Sequence, residues 1–205
     1  MIYEFRTYRL KVGSLPEVLK RFGEAYQHRK KLSELAAFWY TDIGPLNEVV
    51  HVWPYKDVAE RSRIRGEAVK DPNWPPKIGE FLLDLQSEIV IPYSFSPALS
   101  PAKLGPVYEM RYYTYRAGVL PEIMKRWEAK LPERLKLSPL AFAGYTDLGA
   151  LNKHIHIWPY ASLNDRAAIR SKATEIGAWP PPGGADLWLQ MNNKILLPSA
   201  FSPLQ

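Results

Sequence analysis

The sequence predicts an α+β protein in which two tandem β-α-β-β-α-β units close on each other as a barrel, and three observations carry that prediction. Residues 3–76 return at one offset of about 105 residues, with about 33 of 74 aligned positions identical. Within each copy, period-two stretches and period-3.6 stretches alternate in the order strand, helix, strand, strand, helix, strand. Such a unit carries its helices on one face of its sheet, so the other face needs a cover, and the second copy supplies one. The boundaries that follow are 1–99 for the first unit and 106–205 for the second, with Pro97, Pro101 and Pro106 breaking regular structure between them.

The elements follow in order. Ile2 to Tyr8 alternates and is rich in aromatic and β-branched residues, so it reads as a strand. Gly13 breaks it. Ser14 can cap a helix whose first turn accepts Pro16, and Val18, Leu19, Phe22, Ala25 and Tyr26 keep helical spacing as far as about Leu35. Ala37 to Asp42 and Glu48 to Trp53 form a hairpin across a Gly-Pro-Leu-Asn turn. Asp57 caps a second helix that runs to about Lys70. Asp71 to Pro76 is irregular, Ile78 to Leu85 reads as a short helical stretch, and Ser87 to Ile91 is the last strand. This is the split βαβ, or ferredoxin-like, unit, and two of them in one chain form a pseudo-dimeric barrel.

Period-two alternation sorts strand side chains into faces. Glu4, Arg6 and Tyr8 share one face of the first strand; His51 and Trp53 share one face of the third. Val50 and Val52 are expected under the helices, which sends the polar sets to the helix-free face, enclosed between the two sheets. The second copy repeats the set as Glu109, Arg111, Tyr113, His156 and Trp158.

Several function classes lose support at once. The 205 residues include no cysteine, which removes disulfides, thiolate chemistry and Cys-bound metals. No apolar run is long enough to span a bilayer, and no leader is visible, so the expectation is a cytoplasmic protein. The net charge of +6 is spread over both halves without a nucleic-acid-binding motif, so a solvated basic surface is expected. There is no phosphate-binding Gly-rich loop, no nucleophile elbow and no zinc-protease helix.

The opening Tyr3-Glu4-Phe5-Arg6-Thr7-Tyr8-Arg9-Leu10-Lys11-Val12-Gly13, and the strand His51-Val52-Trp53-Pro54-Tyr55 followed by Arg61 and Arg65, resemble the NIPSNAP domain. The second copy matches in the same two places. The resemblance implies the dimeric α+β barrel superfamily, which also holds small monooxygenases, dehydratases, isomerases and haem-handling proteins. Animal members of the family are associated with mitochondria and partner recruitment. The resemblance carries no agreed catalytic residues, so no catalytic role is transferred.

The duplicated Glu/Arg/Tyr stripe beside His/Trp is the candidate site. As a pocket, Arg6 would hold an anionic group, His51 would move a proton and the aromatic rings would wall a small anionic or aromatic ligand. As a scaffold, the same residues form an ion-paired network that fixes the packing of two sheets. A non-enzymatic module that recruits a protein partner or a second copy is the other reading, and a monooxygenase-, isomerase- or haem-type barrel a third. No cofactor is expected; haem on His51 or His156 is the alternative, since a single axial imidazole is a weak signal. His154 and His156 have the spacing of two metal ligands, but Val49 replaces the first in the other copy and no third ligand is evident, so no metal is expected. Trp74-Pro75-Pro76 and Trp179-Pro180-Pro181 are expected to cap the barrel mouth or to stiffen a loop, and His28 to Lys31 to form a solvated helix face.

Overall fold

The computed structural model describes residues 1–183 and 186–205. The first half contains β1 (Ile2–Leu10), α1 (Leu15–Arg29), β2 (Ala37–Ile43), β3 (Glu48–Tyr55), α2 (Val58–Ala68) and β4 (Leu82–Pro92). The second contains β5 (Val107–Tyr115), α3 (Leu120–Leu135), β6 (Phe142–Leu148), β7 (Lys153–Tyr160), α4 (Leu163–Glu175) and β8 (Trp188–Pro198). The eight strands close one barrel in the order β1-β3-β2-β8-β5-β7-β6-β4. Closure is edge to edge: β2 pairs with β8 and β4 with β6, so both seams join one half to the other. Among the described residues no helix is long and apolar enough to cross a membrane.

Local chemistry explains the elements. Asp57 caps α2 by accepting from the Glu60 backbone N–H at 2.8 Å, while the Glu60 carboxylate accepts from Lys56 N–H at 2.6 Å, a reciprocal cap. Ser162 and Asp165 do the same for α4. Ser14 does not cap α1 as the sequence suggested; its hydroxyl donates to Lys11 O instead. Helix α1 stops at Arg29, short of Leu35, where the Arg29 side chain turns back onto Ser33. The stretch expected to be helical at Ile78 to Leu85 is a single 3-10 turn, Gly79–Phe81, and β4 begins already at Leu82 because β1 offers it a pairing edge as far as Leu10.

The barrel interior is filled. Tyr3, Phe5, Trp39, Val50, Val52 and Val90 meet Tyr108, Met110, Phe142, Ile155, Ile157 and Leu196 there. Contacts cross between halves: Phe142 lies 5.2 Å from Tyr3, and Trp39 lies 5.3 Å from Tyr108, centroid to centroid. Bulk is exchanged between equivalent positions: Trp39 stands opposite Gly144 in the repeat, and Phe142 opposite Ala37. An eight-stranded barrel has just enough interior for its own side chains, and this one uses it up.

The expected facing of the strands is therefore reversed. Glu4, Arg6, Tyr8, His51 and Trp53 lie on the outer, helix-covered face, and so do Glu109, Arg111, Tyr113, His156 and Trp158. Val50 and Val52, assigned to the helices, are the ones inside, as are their counterparts Ile155 and Ile157. The physical reason is solvent access. A closed, packed barrel offers buried charges neither water nor room for counter-ions, whereas the layer between sheet and helix opens at its margin, where arginine can reach both.

Candidate functional site

The site of the first half begins at Glu4, which has no exposed surface. Its Oε1 accepts from Arg6 at 2.7 Å, Arg61 at 2.6 Å and Ser87 at 2.8 Å, and Arg65 approaches to 3.6 Å. Strand β1 supplies the acid and Arg6, β4 supplies Ser87, and α2 places Arg61 and Arg65 one turn apart on its inner side. Burial by itself would raise the Glu4 carboxyl, but the Arg61 hydrogen bond, the Arg65 charge, Ser87 and Arg6 outweigh it and hold the group down at about 2. Arg6 in turn donates from Nε to the Tyr8 hydroxyl at 2.7 Å.

On β3, two residues apart on one face, Trp53 Nε1–H donates to His51 Nδ1 at 2.7 Å. With Nδ1 accepting, the neutral imidazole carries its proton on Nε2, and that buried N–H has no partner among the described residues. Burial, then the nearby Arg6, push the His51 pKa well below its usual value, so the ring is neutral at physiological pH. The rings of Tyr8, Phe22 and Phe38 surround it at 4.8, 5.0 and 5.5 Å.

Arg29 completes the group. It is only 3% exposed, so the helix face read from sequence as solvated turns this residue inward. Its guanidinium lies 4.5 Å above the Trp53 ring and donates to Ser33 Oγ at 2.7 Å and to Tyr55 Oη at 3.2 Å. Among the described residues it has no ion-paired carboxylate. Three guanidiniums, Arg6, Arg61 and Arg65, thus share the Glu4 carboxylate, and Arg29 stands beside them without a carboxylate of its own among the described residues. Stacking on an indole recovers about 0.5–2 kcal/mol, less than the several kcal/mol that burying an uncompensated ion costs.

Arg6, Arg29 and Arg65 face a cavity of about 360 Å³ between the sheet and the two helices. Tyr8, Phe22, His51, Trp53 and Trp74 wall it, and Trp74-Pro75-Pro76 closes one side. The Trp-Pro-Pro loop accordingly covers this cavity, and not the barrel mouth. The exposed Val69 and Leu85 form an apolar rim.

The second half repeats the polar geometry. Glu109 accepts from Arg111 at 2.7 Å and Arg166 at 2.5 Å, Trp158 Nε1–H donates to His156 Nδ1 at 2.7 Å, and Arg134 stacks 4.3 Å above Trp158. Its cavity is only about 140 Å³. His154 is fully buried, its Nδ1 bonded to the Tyr93 hydroxyl at 2.7 Å, and burial lowers its pKa to about 3. Among the described residues no group of three or more metal-ligating side chains converges. Haem does not fit the donor set either: the Trp53 and Trp158 bonds put the proton of His51 and His156 on Nε2, the atom an axial ligand would use.

The candidate residues named from sequence are thus brought together as two clusters, one per half, on the opposite face from the one expected. Sequence reasoning missed Arg29, Tyr55 and Arg65 as cavity residues, together with Arg134 and Arg170 in the second half. The repeat itself held the signal, since all three recur identically at the common offset.

Comparison with known proteins gives the family. The NIPSNAP model matches residues 3–97 and again 108–203. The human protein NipSnap homolog 3A is 30% identical over 217 residues, covering 100% of this chain and 86% of that protein. The Drosophila melanogaster protein NipSnap is 28% identical over 222 residues, covering 100% of this chain and 79% of that protein. Among solved structures, a Fusobacterium nucleatum protein (TM-score 0.64, 10% identity, 97% of this chain and 92% of that one) and an anthrone oxidase-like protein (TM-score 0.60, 9% identity, 98% and 93%) share the fold. The chain belongs to the NIPSNAP family and carries two tandem NIPSNAP domains.

Proposed function

We propose that the first half binds a small molecule with an anionic group on a flat, apolar body, seated in the cavity beneath α1 and α2. The observation that carries this reading is Arg29, a buried guanidinium without a carboxylate partner, facing the same aromatic-walled space as Arg6 and Arg65. A carboxylate or sulfonate there would supply the missing negative charge, and guanidinium forks bind such groups through two oxygens. Trp53, Trp74 and Phe22 offer ring faces to a planar body. A volume of about 360 Å³ falls in the range of small-molecule clefts, roughly 300–1,000 Å³.

The test is a thermal-shift and calorimetric screen of aromatic carboxylates and sulfonates beside their neutral amides. The anionic members should bind, and Arg65→Ala, at the partly exposed mouth, should weaken them about tenfold while leaving the fold intact by circular dichroism. Equal binding of the amides, or no binding of either class, would sink the reading.

A further inference from the structure

We infer that the two domains have diverged into one that binds and one that is filled, so that each chain takes a single ligand; this rests on the reading just given. The charged machinery is the same in both halves, down to the Trp–His and Glu–Arg distances. What differs is bulk. Phe22, Leu10 and Leu82 of the first half are Trp127, Tyr115 and Trp188 in the second; the last two positions are paired with each other on adjoining strands in both copies. Trp127 comes to 4.5 Å from Trp179 and 4.8 Å from His156, whereas Phe22 stays 5.6 Å from Trp74. His154, standing where the first half has Val49, lies beneath the same indole at 4.5 Å. The second cavity falls to about 140 Å³, below the size of a small-molecule cleft. The Glu109 cluster persists there without a ligand because removing any member would strand a buried charge.

Titration with an anilinonaphthalene sulfonate, a three-ring aromatic anion, tests this. One equivalent should bind per chain, Arg65→Ala should weaken it about tenfold, and Arg170→Ala should leave it within about twofold of wild type. The double variant Trp127→Phe, Trp188→Leu should gain a second equivalent. Two equivalents on the wild-type chain, equal losses from the two arginine variants, or no gain in the opened variant would each overturn the inference while leaving anion binding standing. No binding by the wild type would overturn both.

A second inference rests on the seams alone: we infer that their charges select pairing between unlike halves. Lys194 meets Glu48 at 2.8 Å, and Lys153 meets Glu88 at 2.6 Å, all four largely buried near the Tyr112 ring. In the repeat, Lys153 stands where the first half has Glu48, and Lys194 where it has Glu88. The first half therefore brings two acids and the second two bases, and like paired with like would gather four equal charges at one end of a barrel. In the intact chain, Glu48→Lys with Glu88→Lys should lower the urea midpoint. Adding Lys153→Glu and Lys194→Glu should restore the midpoint. A doubly substituted chain as stable as wild type, or a fourfold variant that does not recover, would refute the selection.

Discussion

Trp53 Nε1–H donates to His51 Nδ1 at 2.7 Å across two residues of one strand, and Trp158 repeats the bond to His156 at the same length. Extended backbone puts positions i and i+2 on one face, so a dipeptide-scale pattern fixes both the ring orientation and the tautomer. The proton is left on Nε2, which is buried without a partner among the described residues.

Trp53→Phe keeps an aromatic side chain but removes the indole and its N–H donor. His51 Nδ1 then becomes a buried, unpaired acceptor, and Arg29 loses its best stacking surface. The expected loss is about 1–3 kcal/mol by urea denaturation, with nitrogen chemical shifts reporting a change of His51 tautomer. Unchanged shifts would contradict the assigned proton position.

The buried imidazoles make stability fall as acid is added. The pKa values of His51, His154 and His156 are all lowered by burial, so the unfolded chain takes up protons first, below its usual histidine pKa of about 6.5. Stability present above that pH should decline as pH drops from about 6.5, through the folded His154 value of about 3. His154→Val, the residue of the other half, should make that decline shallower. An equal slope in the variant would show that His154 is not neutral in the fold.

Glu4 acts in a lower window. Its folded pKa of about 2 lies beneath the ordinary 4.5, so its contribution is complete above 4.5 and is lost as pH falls toward 2. The difference corresponds to about 3 kcal/mol at most. Glu4→Gln should be destabilised near neutrality and should show less further loss between pH 4.5 and 2. The Glu109 carboxyl is also held low, by Arg166 and Arg111 against its burial, so Glu109→Gln should behave alike.

Gly144→Ala tests the β4–β6 seam. A Cβ there would sit 2.5 Å from the Ile91 carbonyl oxygen and 2.9 Å from the Phe142 ring, and the first of these is backbone of the neighbouring strand. Overpacking of this kind costs about 1–3 kcal/mol. A melting temperature equal to that of wild type would mean that the seam yields more easily than its geometry implies.

The sequence by itself determined the repeat, the order of elements, the barrel class and the grouping of side chains: Glu4 with Arg6 and Tyr8, His51 with Trp53. It also placed the same residues at the same offset in both halves, but the reading of His28 to Lys31 as a solvated face hid Arg29, whose place in the cavity the coordinates revealed. Only the tertiary structure decided which group lies inside. Period-two alternation is symmetric, stating that two sets oppose one another without saying which way the sheet curves. Closure through the β2–β8 and β4–β6 seams fixed the curvature, and the closed interior admitted only what could pack without water. Cavity size was likewise set by residues distant along the chain, since the bulk of Trp127 matters only where β5 and β8 bring Tyr115 and Trp188 beside it.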